Sequence, residues 1–442
     1  MSVESEEKEM TKSHERPSWA GLLVARSVTD TRPRADSINN ANVYLKYHQA
    51  WKGVFVHDIF SDQILVVRCP PFMKDSDFRV HRLDQCDIIG TAAGLEHLGL
   101  TLSIQKAHSA IKYIARENKV HPVRDYFTGL RWDGKRRLHT WLRDYLSATQ
   151  QDHEYLSAVG SKWLVAAVQR IFEPGSKYDH MMVLEGRQGL GKSTALELLA
   201  TFGDAGSEQT YYTDAIKFEK IHEDASITML QGKLIIEFAE LSGMNKREVE
   251  DVKNWITNKV DEKVKKYENE ATVYPRQFIL AGTTNEDQWL RDPSGGRRFL
   301  PVKVCDRVDF EKIKRDKLQL WAEAVELYKN GYPTHIEANS EFERISLIEQ
   351  SARNVDDVWE DQIVEFLQWM TECTVAQIME MLQIDTARRD DMTQKRIVKV
   401  LRRVGWERKQ FWRGGKPIKG WAKAVVPVSA EAENVVQPST YE

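Results

Sequence analysis

Hydrophobic and polar positions in the first third of the chain follow strand-like and helical patterns in turn. Residues 1–40 are polar, with mixed charge and few large apolar groups, which predicts a mobile tail. Residues 54–56 and 64–67 are typical of strands, with a turn at Ser61-Asp62 between them. Residues 107–116 have helical spacing, through Ala107, Ile111 and Ile114. We therefore expect an α+β domain over residues 41–150.

Between residues 151 and 333, apolar strands alternate with helical patterns. Helices are predicted over residues 161–172, 246–258 and 318–328, and buried strands over residues 181–184 and 278–283. A hairpin is predicted over residues 260–274, with its turn near Asn269. This alternation favours an α/β domain.

The last third begins with a polar connector over residues 334–357. Residues 358–426 then predict helices at 363–370, 375–382 and 393–404, followed by a hairpin rich in arginine, glycine and aromatic residues. Three helices and a β-wing make a winged helix-turn-helix. Residues 427–442 are predicted to be a tail.

Composition narrows the class of protein. The chain has 442 residues, of which 41% are hydrophobic and 29% charged, as in ordinary soluble proteins. Its N-terminus is acidic and lacks the apolar stretch of a signal peptide, and no run of 18 apolar residues predicts a membrane span. The four cysteines have no C-x-x-C spacing, which argues against a zinc knuckle or a disulfide framework. We expect a soluble protein of a host cell's cytoplasm.

The net charge of -3 hides a very uneven distribution of charge along the chain. Residues 386–423 contain thirteen basic and three acidic residues, a net charge of +10, so the remainder carries -13. Such clustering predicts contact with the phosphate backbone of DNA, although winged helices also dock proteins. Aromatic residues in this stretch could stack on bases or form a small core. The candidate DNA-binding residues here are Arg402, Arg403, Arg408, Lys409 and Arg413.

A phosphate-binding motif lies between a predicted strand and a predicted helix. It matches G-x-x-x-x-G-K-[ST] in full. Its glycines allow successive backbone N–H groups to face phosphate oxygens, its lysine neutralises the β- and γ-phosphates, and its serine ligates Mg²⁺. The candidate ATP-binding residues are Gly186, Arg187, Gln188, Gly189, Leu190, Gly191, Lys192, Ser193 and Thr194.

Such a loop needs acids and a polar sensor at the ends of neighbouring strands. Glu237 ends an apolar run and Glu240 lies three residues on; one should hold Mg²⁺ with Ser193, and the other should polarise the attacking water. The spacing leaves open which acid does which. Asn285 follows a second apolar strand and could orient that water. Arg297 and Arg298 follow a Gly-Gly turn and could reach a neighbouring subunit's γ-phosphate.

Four segments carry a resemblance to a known family: HPVRDYFTGLRWDG, GRQGLGKS, IIEFAEL and FILAGTTNEDQWLRDPSGGRRFLPV. Together they resemble the superfamily 3 helicases of the AAA+ class, and more closely the virulence-associated protein E family carried by phages, prophages and genomic islands. The resemblance covers residues 110–330 well and the remainder weakly. It implies a P-loop NTPase core in an α/β fold, a homo-hexameric ring, ATP with Mg²⁺ at subunit boundaries, and DNA in the central pore.

The resemblance also implies residue roles. Lys192 and Ser193 correspond to the Walker A pair, Glu237 and Glu240 to the Walker B acids, Asn285 to the sensor, and Arg297 or Arg298 to the trans-acting finger. A hairpin before the sensor strand touches DNA in such rings, which makes Lys263, Lys265 and Lys266 candidates; the alternative is a solvated charge run. One departure is that the two acids are not adjacent, as they are in related rings.

These observations predict an ATPase that couples ATP hydrolysis to DNA translocation or unwinding in replication of a mobile element. The alternative is a DNA-binding initiator or regulator that uses ATP only as an assembly switch. A P-loop kinase is disfavoured, because no arginine-rich lid follows the loop at short range. Residues 1–120 lack a convincing primase metal triad, so no primase activity is expected.

Overall fold

The computed structural model describes residues 17–203, 208–217, 220–221, 223–244, 246–264, 271–290, 297–354, 359–413 and 415–423. Two compact units are present. The first takes in the described residues up to 289 and from 297 to 352, and the second takes in Leu290 and those from 353 onward. Among the helices in these ranges, none is both long and apolar enough to span a membrane.

The N-terminal part of the first unit is a four-stranded sheet covered by three helices. The strands are β1 (Phe55–Asp58), β2 (Gln63–Val66), β3 (His81–Arg82) and β4 (Lys119–Val120), and the helices are α1 (Ile38–Tyr47), α2 (Gln85–Glu96) and α3 (Ile104–Glu117). The strand order is β3-β2-β1-β4, with β4 parallel to β1. Helix α3 begins at the cap Ser103 and buries Ala107, Ile111 and Ile114 against this sheet's core. The predicted strands and the predicted helix are thus confirmed.

The predicted N-terminal tail is wrong for residues 17–40. A 3₁₀ turn at Ser18–Leu22 places Trp19 against Tyr44, with ring centroids 5.5 Å apart. The buried Asn40 side chain accepts a hydrogen bond from the Val24 backbone N–H at 2.7 Å and donates to the Val24 carbonyl at 2.9 Å. One buried amide therefore fixes a segment whose polar composition resembles that of a tail. Residues 1–16 lie outside the described ranges.

The remainder of the first unit contains a five-stranded parallel sheet, two short antiparallel strand pairs and the helices around them. Its strands are β5 (Met181–Glu185), β6 (Thr201–Phe202), β7 (Gln209–Thr210), β8 (Tyr212–Thr213), β9 (Ile235–Phe238), β10 (Val260–Val264), β11 (Ala271–Pro275), β12 (Ile279–Thr284) and β13 (Phe299–Lys303). The parallel sheet has the order β13-β5-β12-β9-β8. Strands β5, β9 and β12 are buried throughout, which explains their continuous apolar runs. The predicted α/β class is confirmed.

The helices of this region are α4 (Pro122–Gly129), α5 (Trp141–Leu146), α6 (His153–Phe172), α7 (Lys192–Leu199), α8 (Asp224–Leu230), α9 (Lys246–Ile256), α10 (Phe310–Lys329) and α11 (Glu341–Ala352). Helices α4 and α5 correct the boundary expected at residue 150. Their aromatic side chains pack in the core of the parallel sheet, Phe127 against Trp321 and Trp141 against Trp163. The change from one core to the other falls near residue 120.

The polar connector expected over residues 334–357 contains helix α11, which packs along the parallel sheet. The buried Gln350 side chain donates a hydrogen bond to the Phe299 carbonyl on strand β13 at 2.9 Å. The expectation of a connector is therefore wrong for residues 341–352, because the buried face of this helix carries polar groups.

The C-terminal unit contains helices α12 (Glu360–Leu367), α13 (Val375–Met381) and α14 (Asp391–Arg403), and strands β14 (Glu372–Cys373), β15 (Trp406–Arg413) and β16 (Lys416–Lys423). The strands form one antiparallel sheet in the order β14-β16-β15. Ile363, Ile378, Ile397, Trp406 and Trp421 form its small core. The three helices and the hairpin lie where the hydrophobic pattern predicts them.

Candidate nucleotide site

The glycine-rich loop joins strand β5 to helix α7. Gly186, Gly189 and Gly191 have φ values of 138°, 84° and 94°, which L side chains rarely adopt. A Cβ atom at Gly186 would meet the Val304 carbonyl, and one at Gly191 would meet the Phe310 ring, whereas nothing lies within 4 Å at Gly189. The loop is therefore packed at both ends and open in the middle, where its backbone can approach a ligand.

Lys192 begins helix α7 and turns its ammonium back into the loop. Its Nζ donates hydrogen bonds to the carbonyls of Gly186 at 2.5 Å and Arg187 at 3.0 Å, and to Asn285 Oδ1 at 3.0 Å. Burial lowers the pKa of this ammonium, while the charge of Glu237 acts in the opposite sense. Lys192 and Asn285, 93 residues apart in sequence, therefore share one site.

The Glu237 carboxylate is fully buried beside this lysine and accepts three hydroxyl hydrogen bonds. Its Oε1 accepts from Ser193 Oγ at 2.7 Å and from Thr283 Oγ1 at 2.6 Å, and its Oε2 accepts from the Tyr212 hydroxyl at 2.5 Å. Burial and the bond to Glu237 raise the pKa of the Tyr212 phenol. Glu237 is thus held in one orientation by donors from three elements.

Sheet topology explains why these side chains meet. Strands β5, β12 and β9 are neighbours and run parallel, so their carboxyl ends share one edge. Strand β5 pairs with β12 on one side and with β13 on the other, and both of these strands come much later in the chain. The chain connections next to β5 therefore run to opposite sides of this strand. Crevices at such edges are the usual ligand sites of parallel sheets. The arrangement offers a cation, hard oxygen ligands and exposed backbone N–H groups in one crevice.

The remaining loop residues frame this crevice. Arg187, Gln188, Ser193 and Thr194 are exposed, and Leu190 is buried, with its carbonyl accepting a hydrogen bond from the Val308 N–H at 3.0 Å. Within the described part of the chain, no three His, Cys, Asp or Glu side chains converge to hold a metal ion by themselves. Mg²⁺ in phosphate-binding sites is commonly held by one or two carboxylates together with substrate phosphates, and the Ser193 and Glu237 oxygens fit that arrangement.

Glu240 lies in a different environment from Glu237. It is exposed beyond the end of strand β9, and its φ of 58° is left-handed, which is uncommon for a residue other than glycine. The structure thus brings Glu237, Ser193, Lys192 and Asn285 together and leaves Glu240 at the solvent side of the strand end.

Three polar groups of the crevice escaped the sequence analysis: Tyr212, Thr283 and Glu185. Glu185 ends strand β5, is 1% exposed, and accepts a hydrogen bond from Trp289 Nε1 at 2.6 Å. A glutamate closing an apolar run directly before the glycine-rich loop is a signal that could have revealed it. Tyr212 gives no such signal, because its strand has only two residues.

Comparison with known protein families identifies the family of this chain. A model of the virulence-associated protein E-like domain matches residues 127–355, just over half of the chain. The chain belongs to this family. Its VapE-like domain therefore begins within helix α4 and ends just after α11, which agrees with the packing boundaries of the parallel-sheet core.

Similar solved structures include two apo structures of the C-terminal region of NrS-1. One is 12% identical, covers 84% of this chain and 96% of its own, and has a TM-score of 0.42. Another is 14% identical, covers 87% and 99%, and has a TM-score of 0.41. Among curated proteins, none matches the chain.

Arg297 and Arg298 lie in the VapE-like domain at the edge of the sheet opposite to the glycine-rich loop. They precede strand β13, and the Arg298 carbonyl accepts a hydrogen bond from the Met181 N–H at 2.8 Å, at the amino end of β5. The four residue steps from Met181 to Glu185, at about 3.3 Å each, separate the two edges by roughly 13 Å. Both arginines line a cavity of about 550 Å³ together with Tyr178 and His180. The structure does not bring them to the glycine-rich loop of their own chain.

The predicted hairpin is present as strands β10 and β11, which pair antiparallel from Val260 with Pro275 to Val264 with Ala271. Its base is closed by a buried ion pair in which Arg276 donates to Asp261 at 2.7 and 2.8 Å. Lys263 donates a hydrogen bond to Thr228 Oγ1. Lys265, Lys266 and the expected turn at Asn269 lie outside the described residues.

The C-terminal unit, which lies beyond the family match, separates its aromatic residues into two groups. Trp406, Phe411 and Trp421 are buried, whereas Trp412 is 71% exposed. Arg402, Arg408 and Lys409 are exposed; Arg402 lies over the Trp421 ring at 5.8 Å, and Lys409 is 3.6 Å from Glu372. The side chains of Arg403 and Arg413 lie outside the described part. Most of the aromatic residues therefore form a core, and Trp412 alone of these four is available for stacking.

Proposed function

We propose that this protein is an ATP- and Mg²⁺-dependent DNA helicase or translocase of the superfamily 3 type, acting in DNA replication of a phage or other mobile element. The observation that carries this proposal is the convergence of Lys192, Ser193, Glu237 and Asn285 at one edge of the parallel sheet. Membership of the virulence-associated protein E-like family supports the setting.

Each residue of the crevice has a role in this proposal. The loop N–H groups and Lys192 bind the β- and γ-phosphates, and the positive end of helix α7 stabilises the negative charge of these phosphates. Ser193 Oγ and Glu237 provide hard oxygen ligands for Mg²⁺, which neutralises phosphate charge when bound. Asn285 orients the attacking water, and Glu240, exposed at the strand end, is the candidate base. Glu237 is buried and accepts three hydrogen bonds, which suits a metal ligand better than a base that must exchange protons.

The finer fold assignments belong to the same proposal. The order strand β5, glycine-rich loop, helix α7 supports a P-loop core of the AAA+ class, as does the parallel sheet with β5 between β13 and β12. The order α12, β14, α13, α14, β15, β16 supports a winged helix, whose exposed basic hairpin would meet DNA.

A homo-hexameric ring gives Arg297 and Arg298 a role. Because they lie at the sheet edge opposite to the loop, they can reach the phosphates only of a neighbouring subunit. Head-to-tail packing of copies places unlike faces together, and it forms a ring when the rotation between copies closes. Arginine supplied in this way stabilises charge on the transferred phosphoryl group.

The test is ATPase turnover with and without single-stranded DNA, on the wild type and on Lys192→Ala. We expect DNA to stimulate turnover of the wild type, strand displacement to depend on ATP, and Lys192→Ala to lose both. ATP turnover that ignores DNA, without strand displacement, would instead favour an initiator that uses ATP as an assembly switch.

A further inference from the structure

A basic cleft lies between the N-terminal sheet domain and the hairpin strands β10 and β11. It has a volume of about 340 Å³, within the range of small-ligand sites. Its walls come from four separate parts of the first unit: the β1–β2 turn, helix α3, helix α8 and the hairpin. Its lining includes Ile64, Lys112, Arg116, Ile227, Lys263 and Tyr274.

Three cations face this cleft from two elements. Lys112 and Arg116 are exposed and lie one turn apart on helix α3, which puts them on the same face. Lys263 extends from strand β10 and bonds a neutral partner, the Thr228 hydroxyl. Within the described residues, none of the three forms an ion pair. The cleft therefore holds concentrated positive charge that a phosphate group could neutralise.

The carboxylate on the cleft wall, Asp62, is already engaged. It accepts hydrogen bonds from the Tyr274 hydroxyl at 3.1 Å and from His57 Nε2 at 3.0 Å. These bonds hold the Tyr274 ring of the hairpin against the β1–β2 turn. Ile64 and Ile227 add apolar surface beside that ring. Positive charge beside aromatic and aliphatic side chains is the combination that binds single-stranded nucleic acid without reading its sequence.

We infer that the basic cleft binds one nucleotide of single-stranded DNA, with its phosphate held by Lys112, Arg116 and Lys263 and its base against Tyr274. This inference rests on the proposed function and extends it by giving the N-terminal domain a part in holding DNA beside the hairpin. A duplex is excluded as the ligand, because its bases are paired and stacked and cannot enter a cavity of this size, whereas an unstacked strand can present a single base.

The first experiment measures binding of a fluorescent oligo(dT) by anisotropy, without nucleotide, over a range of salt concentrations. Lys112→Ala with Arg116→Ala should weaken binding about tenfold and lower the slope of log K against log salt by up to about 0.7, since the cleft holds one phosphate and each phosphate contact on a single strand contributes about 0.7. The matched control is Lys52→Ala with Lys74→Ala, which removes two exposed lysines from the same domain outside the cleft. Equal affinities and slopes for the two double variants would overturn the inference.

A second measurement locates the base. An oligonucleotide carrying 5-iodouracil should cross-link to Tyr274 under ultraviolet light, and Tyr274→Phe, which keeps the ring but loses its bond to Asp62, should retain more of the affinity than Tyr274→Ala. Cross-links confined to the C-terminal hairpin would place the strand elsewhere and count against the cleft.

ATPase turnover without DNA separates this inference from the proposed function. Lys112→Ala with Arg116→Ala should leave it unchanged, because both residues lie on helix α3 of the N-terminal sheet domain, whereas the glycine-rich loop lies at the edge of the parallel sheet. If the wild type binds single-stranded DNA and this variant binds it equally well, the cleft is wrong and the helicase proposal stands. If the wild type hydrolyses ATP but does not bind single-stranded DNA, both the cleft inference and the helicase proposal are wrong. Loss of duplex binding alone would also overturn the cleft.

Discussion

Tyr212 donates a 2.5 Å hydrogen bond to Glu237 Oε2, on the side of the carboxylate away from the Ser193 bond to Oε1. The two residues lie on adjacent parallel strands, β8 and β9. Because one oxygen is fixed by the tyrosine, the other is directed at Ser193 and the glycine-rich loop. Such partners of a ligating carboxylate set its orientation and affinity for the metal.

We expect Tyr212→Phe to raise the Mg²⁺ concentration needed for half-maximal ATPase activity by about 10- to 100-fold, the usual effect of losing such a partner. The control is Tyr211→Phe, since the Tyr211 hydroxyl bonds Gln209 at 3.1 Å and not the carboxylate. Titration of ATPase activity with Mg²⁺ measures both. Identical Mg²⁺ dependence in the two variants would show that Tyr212 does not position Glu237.

Sharing of the site between subunits is tested by mixing two inactive variants. Arg297→Ala keeps its own Lys192, and Lys192→Ala keeps its own Arg297, so some boundaries in a mixed ring combine both native residues. In a random equal mixture this applies to about a quarter of boundaries, which sets the ATPase recovery expected from head-to-tail packing. The same mixture with Arg298→Ala identifies which arginine acts. A mixture no more active than either variant alone counts against a shared site.

The ion pair of Asp261 and Arg276 supports the hairpin from its base. Both side chains are buried, and the guanidinium also lies 4.1 Å from the Trp255 ring centroid. Asp261→Ala leaves the guanidinium buried without its partner, so we expect a loss of about 3–5 kcal/mol in unfolding free energy. Glu262→Ala, at the exposed neighbouring position, should change it by no more than about 0.5 kcal/mol. Urea unfolding of both variants measures the difference.

The parts of the site that could be predicted are those carried by contiguous residues. The glycine-rich loop, Glu237 and Asn285 each follow an apolar run long enough to mark a buried strand, and parallel strands bring such ends to one edge. Tyr212 could not be found in this way, because two residues carry no periodicity. Asp261 was open to interpretation as part of a solvated charge run, since its buried partner Arg276 is 15 residues away.

The parts of the fold that were predicted wrongly from the sequence share a physical cause. Helix α11 buries the polar side chains of Ser346 and Gln350; Gln350 donates hydrogen bonds to Ser346 Oγ and to the Phe299 carbonyl, so the most buried positions of the helix are polar. Helices α4 and α5 have clear apolar residues, but a hydrophobic pattern does not say which of two cores will cover it. Packing partners distant in the sequence decided both cases.

His180 should make stability depend on pH. It lies beside Arg297 and Arg298, and burial lowers its pKa to about 4 from an ordinary value of 6.5. The unfolded chain therefore binds this proton more readily, and stability falls as pH decreases from about 6.5 to 4. At pH 5 the loss relative to pH 7.5 is about 2 kcal/mol. His180→Phe keeps the ring contact with Tyr178 and should remove this part of the decline, whereas the exposed His139→Gln should not. Denaturant unfolding at pH 7.5 and pH 5 measures the decline in stability. Equal declines in the wild type and in His180→Phe would show that His180 does not cause it.

Trp412 offers a test of the basic hairpin in the C-terminal unit. Its side chain is 71% exposed on strand β15, next to Phe411 of the unit's core. An aromatic ring in a basic hairpin gains about 1–3 kcal/mol for each base it stacks on, so Trp412→Ala should weaken DNA binding by roughly 5- to 150-fold. Trp369→Ala is the matched control, because Trp369 is 85% exposed in the same unit but outside the hairpin. Both variants should melt at the wild-type temperature, since neither side chain packs in the core. If the two tryptophans affect affinity equally, or not at all, the hairpin is a surface for docking proteins and not for DNA.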